Sequence, residues 1–159
     1  MKKAHWILSV LLGTILLTSA WAQQKAAEKS LYERLGGEAA ITAVVEDFVG
    51  RAAGNPKVNF FRDGKFKGTD VPRLKRQLVA FIGQATGGPQ KYTGRNMKQA
   101  HEGMKITDAE FDAIAADLAA SLDKFKVPAK EKKELLTIVG TTRKDIVEVT
   151  SQPGSGSAY

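Results

Sequence analysis

From Ser30 onward the apolar positions recur at helical spacing. A short helical turn, Ser30 to Leu35, stops at Gly36-Gly37, and then Ile41, Val44, Val45, Phe48, Val49 and Ala52 fall at i, i+3, i+4, i+7, i+8 and i+11. That stripe predicts an amphipathic helix from Glu38 that ends before Gly54-Asn55-Pro56. Val58, Phe60 and Phe61 follow as apolar anchors, and the polar, glycine-containing stretch from Arg62 to Asp70 predicts a loop. A second helix is predicted from Asp70 or Val71, with Pro72 tolerated in its first turn. Its inward stripe is Leu74, Leu78, Phe81, Ile82 and Ala85, and Thr86-Gly87-Gly88-Pro89 breaks it. An irregular stretch from Gln90 to Gly94 leads into a short helix. There Met97 and His101 share a face at i,i+4, and Gly103 ends the helix.

Thr107-x-x-Glu110 is a capping box, in which hydroxyl and carboxylate satisfy opposite orphan N–H groups. The helix it opens carries Phe111, Ile114, Ala115, Leu118 and Leu122. A last long helix is predicted from near Pro128, with Leu135, Leu136, Val139, Ile146 and Val149 apolar and a possible bend at Gly140. No strand pattern of any length and no internal repeat occurs, so the fold class is all-α, with four substantial helices and short connections.

Composition then changes the picture at the two ends. A chain of 159 residues with 43% hydrophobic content suits one globular domain. Lys2 and Lys3, the apolar run Trp6 to Ala20, and Ala20-Trp21-Ala22 have the anatomy of a secretory signal peptide over 1–22. The 15-residue run is short of the roughly 20 that a membrane span needs, although an uncleaved anchor is the alternative. No twin arginine is present. The expected organisation is a linker over 23–29, a domain over 30–150 and a Gly/Ser-rich disordered tail over 151–159. The expected localisation is exported, periplasmic or secreted, with no stable membrane insertion after signal cleavage. Without Lys2 and Lys3 the chain has 22 basic and 17 acidic residues, spread along its length, which reads as a solvated surface and predicts no nucleic-acid partner.

Absent residue types narrow the chemistry. The chain has no cysteine, so a disulfide, a cysteine nucleophile and a cysteine-linked lipid are excluded. No phosphate-cradling glycine loop, carboxylate-rich metal motif or nucleophile elbow stands out. Of two histidines, His5 lies in the predicted signal segment. A borderline metal held by one imidazole would therefore use His101. A lone histidine is also commonly an ordinary surface or core residue, and spacing leaves both readings open.

From about Ser30 to Val149 the chain resembles the truncated haemoglobins of the first group. The resemblance rests on SLYERLGGEAAI, VVEDF, the pair Phe60-Phe61, RLKRQLVAF, and GGPQKYTGRNMKQAHEGMKIT with its GGP, YTG and M-K-x-x-H elements in order. It implies a truncated globin, a two-over-two helical sandwich around haem b, with His101 as the proximal iron ligand. With no Cys-x-x-Cys-His, c-type covalent attachment is excluded. By the same resemblance Phe61 packs against the haem face, and Leu74 and Leu78 line the distal side. Phe81 joins the pocket wall, and Met97, Phe111 and Leu118 form proximal or rim packing. Tyr92, Arg95, Lys98 and Lys105 would meet the propionates, since two carboxylates at a pocket mouth want cations or donors.

The sequence departs from the family on the distal side. Members usually carry a tyrosine after the Asp-Phe pair and a glutamine on the distal helix; here Val49 and Leu78 stand at those places. Gln77 fills the position that sometimes supplies a second protein ligand, about 100° round the helix from Leu78. A register shift of one residue would bring it into the pocket. The expectation is an apolar pocket whose sixth iron site is open or held by water. Such a site binds O2, NO or CO, with dioxygen, which draws negative charge and needs a donor, held weakly. A haem redox enzyme, nitric-oxide dioxygenase-like or peroxidase-like and served by an electron-donor protein, is the alternative. From another class, a haem-free basic helical module could bind an acidic partner or a membrane surface. Whether the protein is an enzyme stays open.

Overall fold

The computed structural model describes residues 28–150. The signal-peptide reading, most of the linker and the 151–159 tail lie outside the described residues.

Ser30 opens the first element. Its Oγ accepts the Glu33 N–H at 3.2 Å, and the Glu33 carboxylate accepts the Ser30 N–H at 2.8 Å. This reciprocal cap starts α1 (Leu31–Arg34), a single turn. α2 (Gly37–Gly54) follows and buries Ile41, Val44, Val45, Phe48, Val49 and Ala52, the same six residues its spacing predicts. It packs on α3 (Val71–Ala85) along one side and on α5 (Asp108–Lys124) along another. The Thr107/Glu110 box caps α5 in both directions, each bond 3.1 Å. α6 (Ala129–Gly140) covers α5, with Leu135 driven into the shared core. The pairs α2–α3 and α5–α6, joined through α2–α5, make a two-over-two helical sandwich.

Charged clamps hold the layers in register. On α2, the Asp47 carboxylate pairs with Lys124, accepts from Arg51 at 2.6 Å and accepts the buried Ser121 hydroxyl at 2.8 Å. These partners, Lys124 foremost, hold Asp47 well below the usual carboxylate range. Arg34 ties α1 to α6 through Glu131 at 2.5 Å and through Glu134.

The last predicted helix is a correction. It ends at Gly140, and only one further turn, α7 (Arg143–Ile146), forms. The Thr141 and Thr142 hydroxyls bond the carbonyls of Ile138 and Val139 at 2.7 Å each, competing with the helical ladder where it stops. Val147 is extended, and Val149 forms an isolated parallel bridge with Thr107 in place of a further helical turn. Two smaller corrections concern α3 and the segment before it. The predicted loop Arg62 to Asp70 contains two 3-10 turns, Arg62–Gly64 and Gly68–Asp70. Ala85, expected inward, is exposed. Leu74, Leu78 and Phe81 are only half-buried, so much of the apolar stripe of α3 is left unsealed by protein.

Candidate functional site

The unsealed stripe of α3 faces the segment that leads to the histidine. After the GGP turn the chain runs back along α3. The Tyr92 N–H donates to Gln84 Oε1 at 2.9 Å, the Tyr92 ring meets Phe81 edge-on at 5.5 Å, and Gly94 lies beside Gln77. Any Cβ at Gly94 would stand 2.5 Å from the Tyr92 ring and 2.8 Å from Gln77 Oε1, so the close approach requires glycine. α4 (Met97–His101) begins three residues later, capped by Asn96, whose Oδ1 accepts the Gln99 N–H at 2.8 Å. It packs on α7 and makes no extensive contact with α3. Leu74, Leu78 and Phe81 on α3 and Met97 and His101 on α4 are each only half-buried.

His101 stands half-buried at the last residue of α4. Its Nδ1 lies 2.7 Å from the Met97 carbonyl oxygen, one turn back. A carbonyl oxygen only accepts, so Nδ1 carries the proton and Nε2 holds the free lone pair. A backbone carbonyl that accepts from one ring nitrogen in this way fixes the tautomer and direction of a metal-binding imidazole. Gly103, at φ +76°, turns the chain away immediately afterwards. That exit is pinned from a distance: the Glu148 carboxylate accepts the Gly103 N–H at 2.6 Å and the Lys105 N–H at 2.5 Å. Sequence reasoning missed Glu148 because it sits 45 and 43 residues from its partners, in a stretch that reads as helix. No local signal marks it. Asn96 was also missed, although an Asn directly before a helical pattern is a legible cap.

The other expected site residues fall into three environments. Val49, Phe111 and Leu118 are buried, with the Phe111 ring covered by the Arg143 guanidinium at 4.6 Å. Leu74, Leu78, Phe81, Tyr92 and Met97 are half-buried. Phe61, Arg95, Lys98 and Lys105 are exposed. Phe61 is 41% exposed, edge-on to Phe60 at 5.1 Å, and is followed by Arg62 and Asp63 in the left-handed region (φ 46° and 55°). Arg62 is tied to Glu110 at 2.9 Å, which fixes that turn against α5. Tyr92 donates its hydroxyl to the Arg95 carbonyl at 2.7 Å, drawing that pair together, whereas Lys105 lies past the Gly103 turn with its N–H on Glu148. Leu78 packs on the core cluster that includes Val49, while Gln77 turns toward Gly94.

These residues suit a planar macrocyclic cofactor. Among the described residues no three His, Cys, Asp or Glu side chains converge as a metal site, so an ion at His101 would have to bring its other ligands with it. A haem would bring such ligands itself, with Leu74, Leu78 and Phe81 available as apolar contacts and His101 as the side chain able to hold its iron. Gln77 Oε1 is buried with no hydrogen-bond partner, a polar atom left unsatisfied beside Gly94.

A two-over-two helical sandwich that carries one half-buried histidine and an incompletely covered apolar helix face is globin-like. Residues 30–148 match the bacterial-like globin family. A group 1 truncated hemoglobin of Tetrahymena pyriformis is 36% identical over 119 residues, covering 75% of this chain and 95% of that protein. The group 1 truncated hemoglobin GlbN of Mycolicibacterium paratuberculosis is 37% identical over 123 residues, covering 77% and 88%. Among solved structures, the Fe(III) form of the Tetrahymena pyriformis protein matches with a TM-score of 0.68 over 75% of this chain and 98% of its own, at 36% identity. The 2/2 hemoglobin of Synechococcus sp. PCC 7002, described in its cyanomet state with covalently attached heme, matches at 0.67 and 37% identity, covering 76% and 100%. The chain belongs to the bacterial-like globin family, among the group 1 truncated haemoglobins, and its cofactor is haem with its iron.

Proposed function

We propose that this protein binds diatomic gases, O2, NO or CO, at a five-coordinate haem b whose proximal ligand is His101. The haem iron supplies the gas-binding centre. The observation that carries the reading is the 2.7 Å contact from His101 Nδ1 to the Met97 carbonyl, which leaves Nε2 as a directed, unprotonated donor. With His101 committed to iron, residues 28–150 retain no cysteine and no second histidine for a covalent haem link. Tyr92, Arg95 and Lys98 would hold the propionates, and Phe61, exposed and braced by its turn, would close onto the haem face.

Val49, Leu74 and Leu78 form the distal wall in this reading, and none of the three can donate a hydrogen bond. Losing one bond to a strongly polarised acceptor costs roughly 1.5–3 kcal/mol, equivalent to about ten- to a hundredfold in dissociation. The pocket therefore favours fast dioxygen release over storage. The same missing donors count against a nitric-oxide dioxygenase, which has to hold dioxygen for its reaction.

The test is spectroscopic. Protein loaded with haem and reduced should show a Soret band of a five-coordinate ferrous species that changes to a six-coordinate one on adding carbon monoxide. A helical module without cofactor would show no Soret band, and a ferrous spectrum already six-coordinate before the gas is added would place a protein ligand on the distal side.

Export over the 1–22 segment is proposed on the charged start, apolar run and small-x-small site. Within residues 28–150 no helix is long and apolar enough to cross a membrane. Mass spectrometry of native material is expected to find a mature chain beginning near Gln23, in the periplasm or outside the cell. An intact Met1 to Ala22 would favour a retained anchor instead.

A further inference from the structure

The basic charge of this protein is not evenly distributed. Residues 57–105 carry 11 basic and 3 acidic side chains, while the other described residues carry 10 basic and 14 acidic. The basic segment comprises the turn after Phe61, all of α3, the 90–96 strip and α4. Within it Arg73, Arg76, Lys91, Arg95 and Lys98 are all exposed, and none makes an ion pair among the described residues. Within 57–105 only Arg62 and Lys75 are paired with carboxylates, whereas of the ten basic residues elsewhere among the described residues half, Arg34, Arg51, Lys124, Lys132 and Arg143, are paired.

These five cations border one seam. Gln77 lies against Gly94 and Gln84 bonds Tyr92, which fixes α3 beside the 90–96 strip. Arg73 is four residues before Gln77 and so shares its helical stripe, and Arg76 is its neighbour. Lys91 and Arg95 stand on the facing strip, and Lys98 on the first turn of α4. Two propionates would take up two positive charges, in the proposed arrangement those of Arg95 and Lys98. Arg73, Arg76 and Lys91 remain, more positive charge than the cofactor needs.

We infer that this rim is a docking face for an acidic one-electron carrier protein, of the iron–sulfur or flavin class, that returns ferric haem to the ferrous state. This rests on the haem reading above. One electron leaves the reduced carrier, which is oxidised, and enters the ferric iron, which is reduced; no bond breaks and no proton moves. The rim is the place where the carrier comes nearest to the haem edge. Complementary charge there raises encounter rates by roughly 10- to 1,000-fold without demanding tight binding. A single-stranded nucleic acid fits the face less well, because stacking platforms are lacking: the Tyr92 ring is engaged by Phe81 and its hydroxyl by Arg95. A lipid surface fits less well because Phe61 is the one exposed large apolar residue of this segment among the described residues, with Phe125 and Val149 elsewhere in the chain, too little to insert into a membrane.

The experiment measures reduction of the ferric, haem-loaded protein by an acidic [2Fe–2S] ferredoxin, a strongly reducing one-electron carrier, as probe donor. For the unmodified protein the second-order rate is expected to fall by about tenfold or more between about 0.01 and 0.15 M ionic strength. Reduction by a small neutral reductant should not. Arg73→Glu with Arg76→Glu should lower the ferredoxin rate at low salt by about tenfold or more while leaving the Soret band and carbon monoxide binding unchanged. Lys130→Glu with Lys133→Glu on α6 makes the same change in net charge away from the rim and should have a much smaller effect. Titration calorimetry with oxidised ferredoxin gives a second readout, with affinity lost in the rim variant alone. Equal effects of the two double variants, a salt-independent rate, or stronger retention on phosphatidylserine vesicles or single-stranded DNA than on ferredoxin would overturn the docking face. Failure to take up haem at all would sink the haem reading instead.

Discussion

His101→Ala protein is expected to lose the Soret band of the haem-loaded form, or to hold it only weakly. Residues 28–150 contain no second imidazole and no thiolate that could take over the axial position. The half-buried ring can be removed without opening a large core cavity, so the cofactor-free variant and the cofactor-free parent should melt within a few degrees of each other. The difference appears only with haem present. A ligand at a hundred times its dissociation constant stabilises the folded state by about 2.7 kcal/mol. For a domain of this size that is a rise in Tm on the order of 10 °C, which the parent should show and the variant should not. Free imidazole added to the variant should restore part of the Soret band by filling the vacated position. A normal Soret spectrum and an unchanged melting temperature in His101→Ala would remove His101 from the iron.

The second large effect concerns the distal wall. Val49→Tyr with Leu78→Gln should slow dioxygen release by roughly ten- to a hundredfold, the equivalent of one net hydrogen bond worth about 1.5–3 kcal/mol. Carbon monoxide release should change much less, because its bound oxygen is nearly neutral. Val49 is only 2% exposed, so the added ring carries an overpacking cost of about 1–3 kcal/mol. Leu78→Gln alone, at a half-buried position, avoids that cost and should give part of the effect. Equal slowing of both gases would indicate steric gating. No change for either gas would mean that these side chains do not face the iron, and that Gln77, one residue away, deserves the same measurement.

Much of the architecture follows from local pattern. The six apolar positions of α2 are buried as their spacing demands, because an amphipathic stripe has one way to leave water. The Thr107/Glu110 cap, the glycine exit after His101 and the break at Gly87-Gly88-Pro89 are equally local, since each depends on the chemistry of residues a few places apart. His101 is the one histidine outside the predicted signal segment, and the resemblance, through the M-K-x-x-H element, implies it as the proximal ligand.

Other features exist only once distant segments meet. The stripe of α3 looks, in sequence, like any helix buried by protein. That Leu74, Leu78 and Phe81 are left half-open, because α4 packs on α7 and not on α3, depends on how the layers stack. The apolar residues beyond Gly140 continue a helical pattern, yet two threonine hydroxyls and the pairing of 148–149 with 106–108 end the helix there. Glu148 becomes part of the histidine's support only through that pairing, which carries its carboxylate to the Gly103 and Lys105 amides across more than forty residues. Periodicity records which side of an element turns from water; it carries no information about what covers that side, and only the packing of distant segments shows that the apolar face of α3 is left partly open.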